Sequence, residues 1–337
     1  MSEPLRQLFV PTGALDDSFV RWTAGAIGLL IVVALALNAL LRRGGVISIE
    51  RAADAQRRTL AWLVIAPVVA VPILLGRGWT MLAVCLLSLA CWREFARATG
   101  VFRERLVSVA VVIVVLCVLF ANLDHWPRLF FAAGPLGFVL VAMMALAGDR
   151  PRGYLQRTAL GIFGVAFCAV GFGYLGLLAN DPASRSILIL MLLVTQLSDV
   201  CAYVTGSTLG RRALCPNTSP RKTLEGALGA LVGSTAIMLL LGPFVFTEPP
   251  LADWRTLAAI GLLLGALSQL GDLMLSAVKR DIGIKDLGTL IPGHGGLLDR
   301  FDSLVLATPA YYHLISFFRG VATEVPVGLF SGGSASL

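Results

Sequence analysis

The chain has 337 residues, of which 57% are hydrophobic and 14% charged, with a formal net charge of +7 and a mean hydropathy of +0.83. Soluble domains carry about 25% charged residues, so the composition excludes an ordinary water-soluble enzyme. The positive charge does not indicate nucleic acid either, because the basic residues are scattered in short segments between apolar runs, as membrane topology requires.

In chain order, the apolar runs predict ten membrane-spanning helices, near 24–41, 59–76, 78–92, 106–122, 129–147, 158–179, 186–206, 226–246, 256–276 and 303–318. Runs such as Ala24–Leu41, Leu106–Asn122 and Gly226–Phe246 hold no charge and suffice, or nearly so, to cross about 30 Å of hydrocarbon. The first run begins too far along the chain for a secretory signal, and many similar runs follow it. Helices are the expected form because lipid leaves no partner for unpaired backbone amides. Pro67, Pro72, Pro135 and Pro243 fall inside spans, where they should bend them. The six cysteines form no CxxC pair, so neither zinc nor a disulfide framework is indicated.

Loop charge sets the orientation. Residues 42–58, 93–105, 148–157, 207–225 and 277–302 hold 20 of the 27 basic residues. These loops are therefore expected to be cytoplasmic, with both termini outside. Three regions follow: an N-terminal transmembrane region, 1–157; a catalytic transmembrane region, 158–320; and a flexible tail, 321–337, rich in Gly and Ser.

Two carboxylates intrude deep into spans, Asp199 and Asp272, and such groups are functional candidates because they are costly there. Gln196, Asp199 and Tyr203 fall on one helical face, and Gln269, Asp272, Ser276 and Arg280 on another. Two polar stripes near the cytoplasmic ends of spans predict a hydrated cleft; interhelical hydrogen bonding that merely holds the bundle is the plainer reading. The loop after the first stripe contains Ser219-Pro220-Arg221-Lys222-Thr223, which places two hydroxyls and two cations within five residues, a mix suited to phosphate. The loop after the second carries four acids, four bases and His294. Its Pro292-Gly-His-Gly-Gly296 turn lets backbone approach a ligand. His294 suits a turn-stabilising role as well as a ligand contact. Asp299 and Asp302 follow, three residues apart. Clustered carboxylates without thiols favour a hard cation such as Mg²⁺, and with Lys and Arg they are the equipment of phosphoryl or nucleotidyl transfer.

These residues resemble a known pattern. Ser276-Ala-Val-Lys279-Arg280, then Lys285-Asp286-x-Gly288, then Pro292-Gly-His-Gly-Gly-x-x-Asp299-Arg300-x-Asp302 is similar to the signature of the phosphatidate cytidylyltransferases, or CDP-diacylglycerol synthases. The upstream segment Asp199-x-x-Ala-Tyr203, Leu209-Gly210, Ser219-Pro-Arg-Lys-Thr223 and Glu225-Gly226 looks like the same family's second landmark. The resemblance covers the C-terminal half; the N-terminal half matches only as a series of spans. It implies a Mg²⁺-dependent membrane enzyme that joins CTP to phosphatidate, giving CDP-diacylglycerol and pyrophosphate in phospholipid biosynthesis. By similarity, Asp272 and Asp299 would hold metal, with Asp302 assisting. Ser219, Arg221, Lys222, Thr223, Lys279 and Arg280 would engage phosphates, and Asp199 and Tyr203 would line the cleft. Ser276, His294 and Arg300 belong to the same expected substrate-binding set.

The sequence departs from the pattern in the Val200-Cys201 pair after Asp199, in Arg221 where Lys is common, and in ten spans where eight or nine are expected. The competing readings are a cytidylyltransferase for another lipid phosphate, a secondary transporter using the paired intramembrane acids, and a non-catalytic lipid-binding relative. The large charged loop 277–302 is unnecessary for transport. Expected partners are CTP, phosphatidate and the lipid bilayer, with no nucleic acid and a homodimer left open. The expected location is a multi-pass membrane protein, of the inner membrane in a bacterium, with its site at the cytoplasmic face.

Overall fold

A computed structural model describes residues 66–288 and 295–319, together with 9, 17–26 and 28. The expected first span, the first part of the second, residues 289–294 with His294, and the 321–337 tail lie wholly or largely outside the described residues.

The fold is helical, as the apolar runs require. A short helix α1, Ala66–Leu75, is followed by α2, Arg77–Thr99, α3, Arg105–Leu123, and α4, Pro127–Leu146. Next come α5, Tyr154–Leu178, and α6, Ser184–Leu209. A two-stranded antiparallel hairpin, β1 (Ala213–Cys215) and β2 (Ser219–Thr223), interrupts the helices. Then follow α7, Leu224–Leu241, α8, Trp254–Asp281, the single turn α9, Leu298–Phe301, and α10, Leu304–Arg319. Seven described helices are long and apolar enough to cross a membrane: α2 to α8. The 16-residue α10 is shorter but occupies the expected tenth span.

Several boundaries move from their sequence-based positions. The expected third span ended at residue 92, but α2 runs on through Arg93, Glu94 and Arg97 to Thr99. Gly100 closes it in the left-handed region, φ 80°, where glycine carries no steric penalty. Polar residues therefore extend an apolar helix instead of ending it. In the same way α8 continues to Asp281, placing Lys279 and Arg280 in its last turn and not in a loop. Pro135 lies inside α4, whereas Pro243 sits in a short 3₁₀ turn after α7 and terminates that helix. The hairpin is the exception to an all-helical expectation.

Close helix approach explains how α6, α7 and α8 stack. The buried residues of α7 are Gly226, Ala230, Ser234 and Met238, one per turn, while Leu228, Val232 and Leu240 face outward. A Cβ on Gly229 would overlap the Thr205 side chain of α6, and one on Gly265 of α8 would overlap Ser234 of α7. Small residues at these crossings let backbones approach where lipid supplies no hydrophobic push between helices. On the other side of the bundle α5 is the most buried span. It widens into a π-helical turn at Val165–Gly171 and packs against α2, α3, α4 and α10. Trp92 of α2 lies against Gly164 of α5.

Helix length then fixes depth. The 28 residues of α8 rise about 42 Å at 1.5 Å each, more than the hydrocarbon core, so its final turns emerge into the interface. The ends of α6 and α8, the hairpin and the start of α10 thereby share one end of the bundle.

Overpacking a crossing should be costly. Gly229→Val is expected to destabilise the detergent-solubilised protein by about 1–3 kcal/mol. Gly148→Val, at a position with open space around it, should leave thermal unfolding unchanged. Equal unfolding temperatures for both variants would refute the close-approach account.

Candidate active site

The polar residues of α6 and α8 meet each other inside the bundle. Gln269 Nε2 donates to Asp199 Oδ1 at 2.9 Å, and Ser268 Oγ donates to the same oxygen at 3.4 Å. Asp199 and Gln269 therefore bind across the α6–α8 interface. The plainer expectation of interhelical hydrogen bonding is met here, yet the network does not stop at that pair.

The hairpin delivers a cation to it. Lys222 Nζ lies 2.7 Å from Asp272 Oδ2 and donates to Gln269 Oε1 at 3.2 Å. Antiparallel pairing of Ala213 with Thr223 and Cys215 with Ser219 folds the segment back so that Lys222 can reach α8. Thr223 caps α7, accepting from the Gly226 amide at 3.1 Å, a contact that satisfies an orphan helix donor. Glu225 Oε2 accepts from the amides of Arg211 and Arg212 at 3.0 and 3.2 Å. Arg280 donates through Nε to Thr218 O at 3.3 Å and through Nη1 to Ile284 O at 3.0 Å, tying the hairpin to the end of α8. Arg221 is exposed and Ser219 half-buried beside it.

Asp272 has further neighbours. Ser276 Oγ donates to its Oδ1 at 3.3 Å, and the backbone of Asp302 packs against Gly271 of α8, which sets the two carboxyls close enough to influence each other electrostatically. Asp302, buried in the turn before α10, also accepts from the Ser303 amide at 2.8 Å. Burial, and then the adjacent Asp272 carboxylate, push the Asp302 carboxyl well above the usual carboxylate range.

Asp299 lies elsewhere in the cluster. Its Oδ1 pairs with Lys279 Nζ at 2.8 Å, both side chains being largely buried. Its Oδ2 accepts from the amides of Leu287 and Gly296 at 2.9 and 3.0 Å. Asp302 is the acid whose charge bears on Asp272, while both oxygens of Asp299 have other partners. Asp299 instead ties together the two ends of the charged loop. Tyr203 is 74% exposed, pointing outward from α6 and away from Asp199's partners. Arg300 is exposed on α9.

Two residues of this region escaped sequence reasoning. Gln269 was noted only as part of a stripe, but it bridges Asp199 and Lys222. Glu94 was assigned to a loop, yet from α2 its Oε2 accepts from the Leu298 amide at 2.9 Å. The available signal was an acid set between Trp92 and Phe95, both buried.

Chemically, the arrangement gathers four aspartates (Asp199, Asp272, Asp299 and Asp302), two lysines and an arginine toward one end of the bundle. Two neighbouring carboxyls need a shared proton or a cation between them, and an oxygen-only pair suits a hard divalent ion. Among the described residues no group of three His, Cys, Asp or Glu side chains is arranged around a common point for a metal.

Residues 56–318 match the Cytidylyltransferase family. The chain is 38% identical over 197 residues to the uncharacterized protein YnbB of Escherichia coli (strain K12), covering 56% of this chain and 64% of that protein. It is 32% identical over 259 residues to a phosphatidate cytidylyltransferase of Staphylococcus haemolyticus, covering 75% of this chain and 95% of that one. A phosphatidate cytidylyltransferase of Synechocystis is 43% identical over 137 residues, or 40% of this chain and 45% of its own length. The matched segment takes in α1 to α9, all but the last residue of α10 and the whole of the acid–cation cluster, and the chain belongs to the cytidylyltransferase family.

Proposed function

We propose that this protein transfers the cytidylyl group of CTP to phosphatidate, forming CDP-diacylglycerol and releasing pyrophosphate. The observation that carries the reading is the Asp272 site: a carboxylate in the C-terminal half of a membrane-crossing helix, paired with Lys222 at 2.7 Å and with Asp302 as a neighbouring acid. It joins a lipid-facing bundle to a polar, cation-rich rim, which is where a soluble nucleotide and a lipid phosphate can meet. Membership of the family and the relatives named phosphatidate cytidylyltransferase support the substrates. Nothing in the geometry favours a transport pathway.

In the proposed reaction a phosphate oxygen of phosphatidate attacks the α-phosphorus of CTP. The new P–O bond forms as the bond from the α-phosphorus to the bridging oxygen breaks, and pyrophosphate leaves with that electron pair. The nucleophile is already anionic, so no strong base is required. The obstacle is repulsion between two anions, and fixed positive charge is the remedy. Lys222 and Arg280 stand at the rim of the cluster, and Arg221 and Ser219 beside them are free to meet phosphate. Thr223 acts through the cap that holds Lys222 in place. Lys279 holds Asp299 in place. Asp199 fixes Gln269, which positions Lys222. Ser276 steadies Asp272. Tyr203 is proposed to face the lipid substrate from the outer surface of α6, and Arg300 and His294 to act near the loop.

Mg²⁺ is the proposed cofactor. Asp272 and Asp302 would hold it, while both oxygens of Asp299, expected by resemblance to share it, are taken by Lys279 and the amides of Leu287 and Gly296. When bound, such an ion screens phosphate charge and polarises the phosphorus centre. The family's soluble substrate and the loop charges also support a cytoplasmic site in a bacterial inner membrane.

Three outcomes test this reading. Labelled CTP with phosphatidate should yield a chloroform-soluble labelled product, and Asp272→Asn should lower the rate by about 10²–10³, the usual loss for a directed electrostatic contact in a dry site. Near wild-type turnover by Asp272→Asn would remove the site assignment; equal turnover with an isoprenoid ether lipid phosphate would remove the substrate assignment. Lys222→Ala should cost activity and some stability together, because it leaves the Asp272–Asp302 pair uncompensated; unchanged kcat and KM would reduce the hairpin to a topology signal. Finally, a single cysteine replacing the exposed Lys285 should resist an impermeant thiol reagent in intact cells and react after permeabilisation. Labelling in intact cells would put the site on the wrong side for CTP.

A further inference from the structure

We infer that Glu94, on the N-terminal helix α2, is a positioning residue for the catalytic loop, anchoring the Gly-rich segment that carries Asp299 and Asp302. This rests on the cytidylyl-transfer reading of the loop and adds to it a residue from the half of the chain without signature motifs. Glu94 lies 204 positions before its hydrogen-bond partner, the amide of Leu298 at 2.9 Å.

The geometry makes the carboxylate the centre of a knot. A Cβ added to Gly288 would meet Glu94 Oε1 at 2.6 Å, and one added to Gly296 would meet Oε2 at 2.7 Å. The same imaginary Cβ on Gly296 would come within 2.8 Å of the Gly288 backbone nitrogen. The two ends of the loop thus run side by side, with the carboxylate against both. Glycine at 288 and 296 is required by that approach, since any side chain would occupy the carboxylate's space. Asp299 supplies the second tie, to the amides of Leu287 and Gly296. One carboxylate comes from within the loop's own segment and one from outside it. Asp299 ties the loop to Lys279 of α8, the helix from which the loop departs, whereas Glu94 ties it to α2, on a distant part of the chain.

The scaffold at that point is rigid. Trp92 and Phe95, on either side of Glu94, are buried and stacked at 6.0 Å, and Phe95 stacks on Phe163 of α5 at 5.1 Å. A carboxylate on such a helix gives the loop a fixed reference. Leu298 is the first residue of α9, the turn that leads through Asp299 to Asp302, so a shift at its amide moves both acids. Displacements of this kind reduce rate through lost alignment even though no reacting atom is touched.

The test uses the full chain in detergent and the variants Glu94→Ala, Glu94→Gln and Gly288→Ala. Glu94→Ala should lower kcat about 10-fold or more, consistent with loss of a hydrogen bond to a charged acceptor, with KM for phosphatidate unchanged. Glu94→Gln retains an oxygen acceptor and should recover most of that kcat. Amide hydrogen exchange without substrate should be faster across 295–299 in Glu94→Ala and unaltered in α4 and α7. Gly288→Ala should reproduce the defect, and should be better tolerated when combined with Glu94→Ala, which vacates the space. Unchanged exchange at Leu298 in Glu94→Ala, or a Gln variant as impaired as the Ala variant, would overturn the anchor. Failure of the wild-type protein to use CTP and phosphatidate would overturn the reaction instead, and the exchange result would still decide the anchor.

Discussion

Two carboxyl groups, Asp272 and Asp302, are neighbours in a helical bundle, because the backbone of Asp302 seats against Gly271 of α8, and the structure around them is arranged to tolerate their proximity. Like charges in a poorly hydrated site repel strongly, and burial alone already disfavours the ionised form. Lys222 answers on one side at 2.7 Å. Lys279, the next cation along α8, is committed to Asp299. The hairpin exists to place Lys222, and Thr223, Glu225 and Arg280 hold the hairpin where it can do so. Even the small-residue crossings of α6, α7 and α8 serve this end, since they bring Asp199 and Gln269 close enough to orient the lysine.

This explains how helices and short connections, the elements among the described residues, suffice for the proposed chemistry. Each functional side chain comes from a helix end or from a segment pinned to one. The helix α8 outlasts the hydrocarbon core, so its final turn carries Lys279 and Arg280 into the interface. A water-soluble nucleotide and a membrane lipid can then meet at one rim, each approaching from its own solvent.

Much of this was legible in the chain itself. Charge-free runs gave the spans, because a bilayer requires apolar helices of known length, and Asp199 and Asp272 stood out as acids within them. Helix ends were less legible, since Arg93 to Arg97 and Lys279 to Asp281 read as loop by charge but continue as helix, their long side chains reaching the interface. That misreading concealed Glu94. The hairpin gave no alternating pattern over its few residues. The arrangement of the acids could not be read at all: the family resemblance implied Asp272 with Asp299, but which acid lies nearer Asp272 depends on how the α8–α9 connection closes, which is set by amides of Leu287 and Gly296 and by Glu94 across the bundle. Such contacts have no local signature.

The central claim is that the Asp272–Asp302 pair is the cation site at which the nucleotide is drawn to the lipid. Mn²⁺ binding to the purified protein, followed by electron paramagnetic resonance with CTP present, tests it most directly. The wild-type protein should immobilise Mn²⁺, and Asp272→Asn and Asp302→Asn should each release it while Tyr203→Phe binds as the wild type does. Retention of wild-type Mn²⁺ affinity by both aspartate variants would contradict the account.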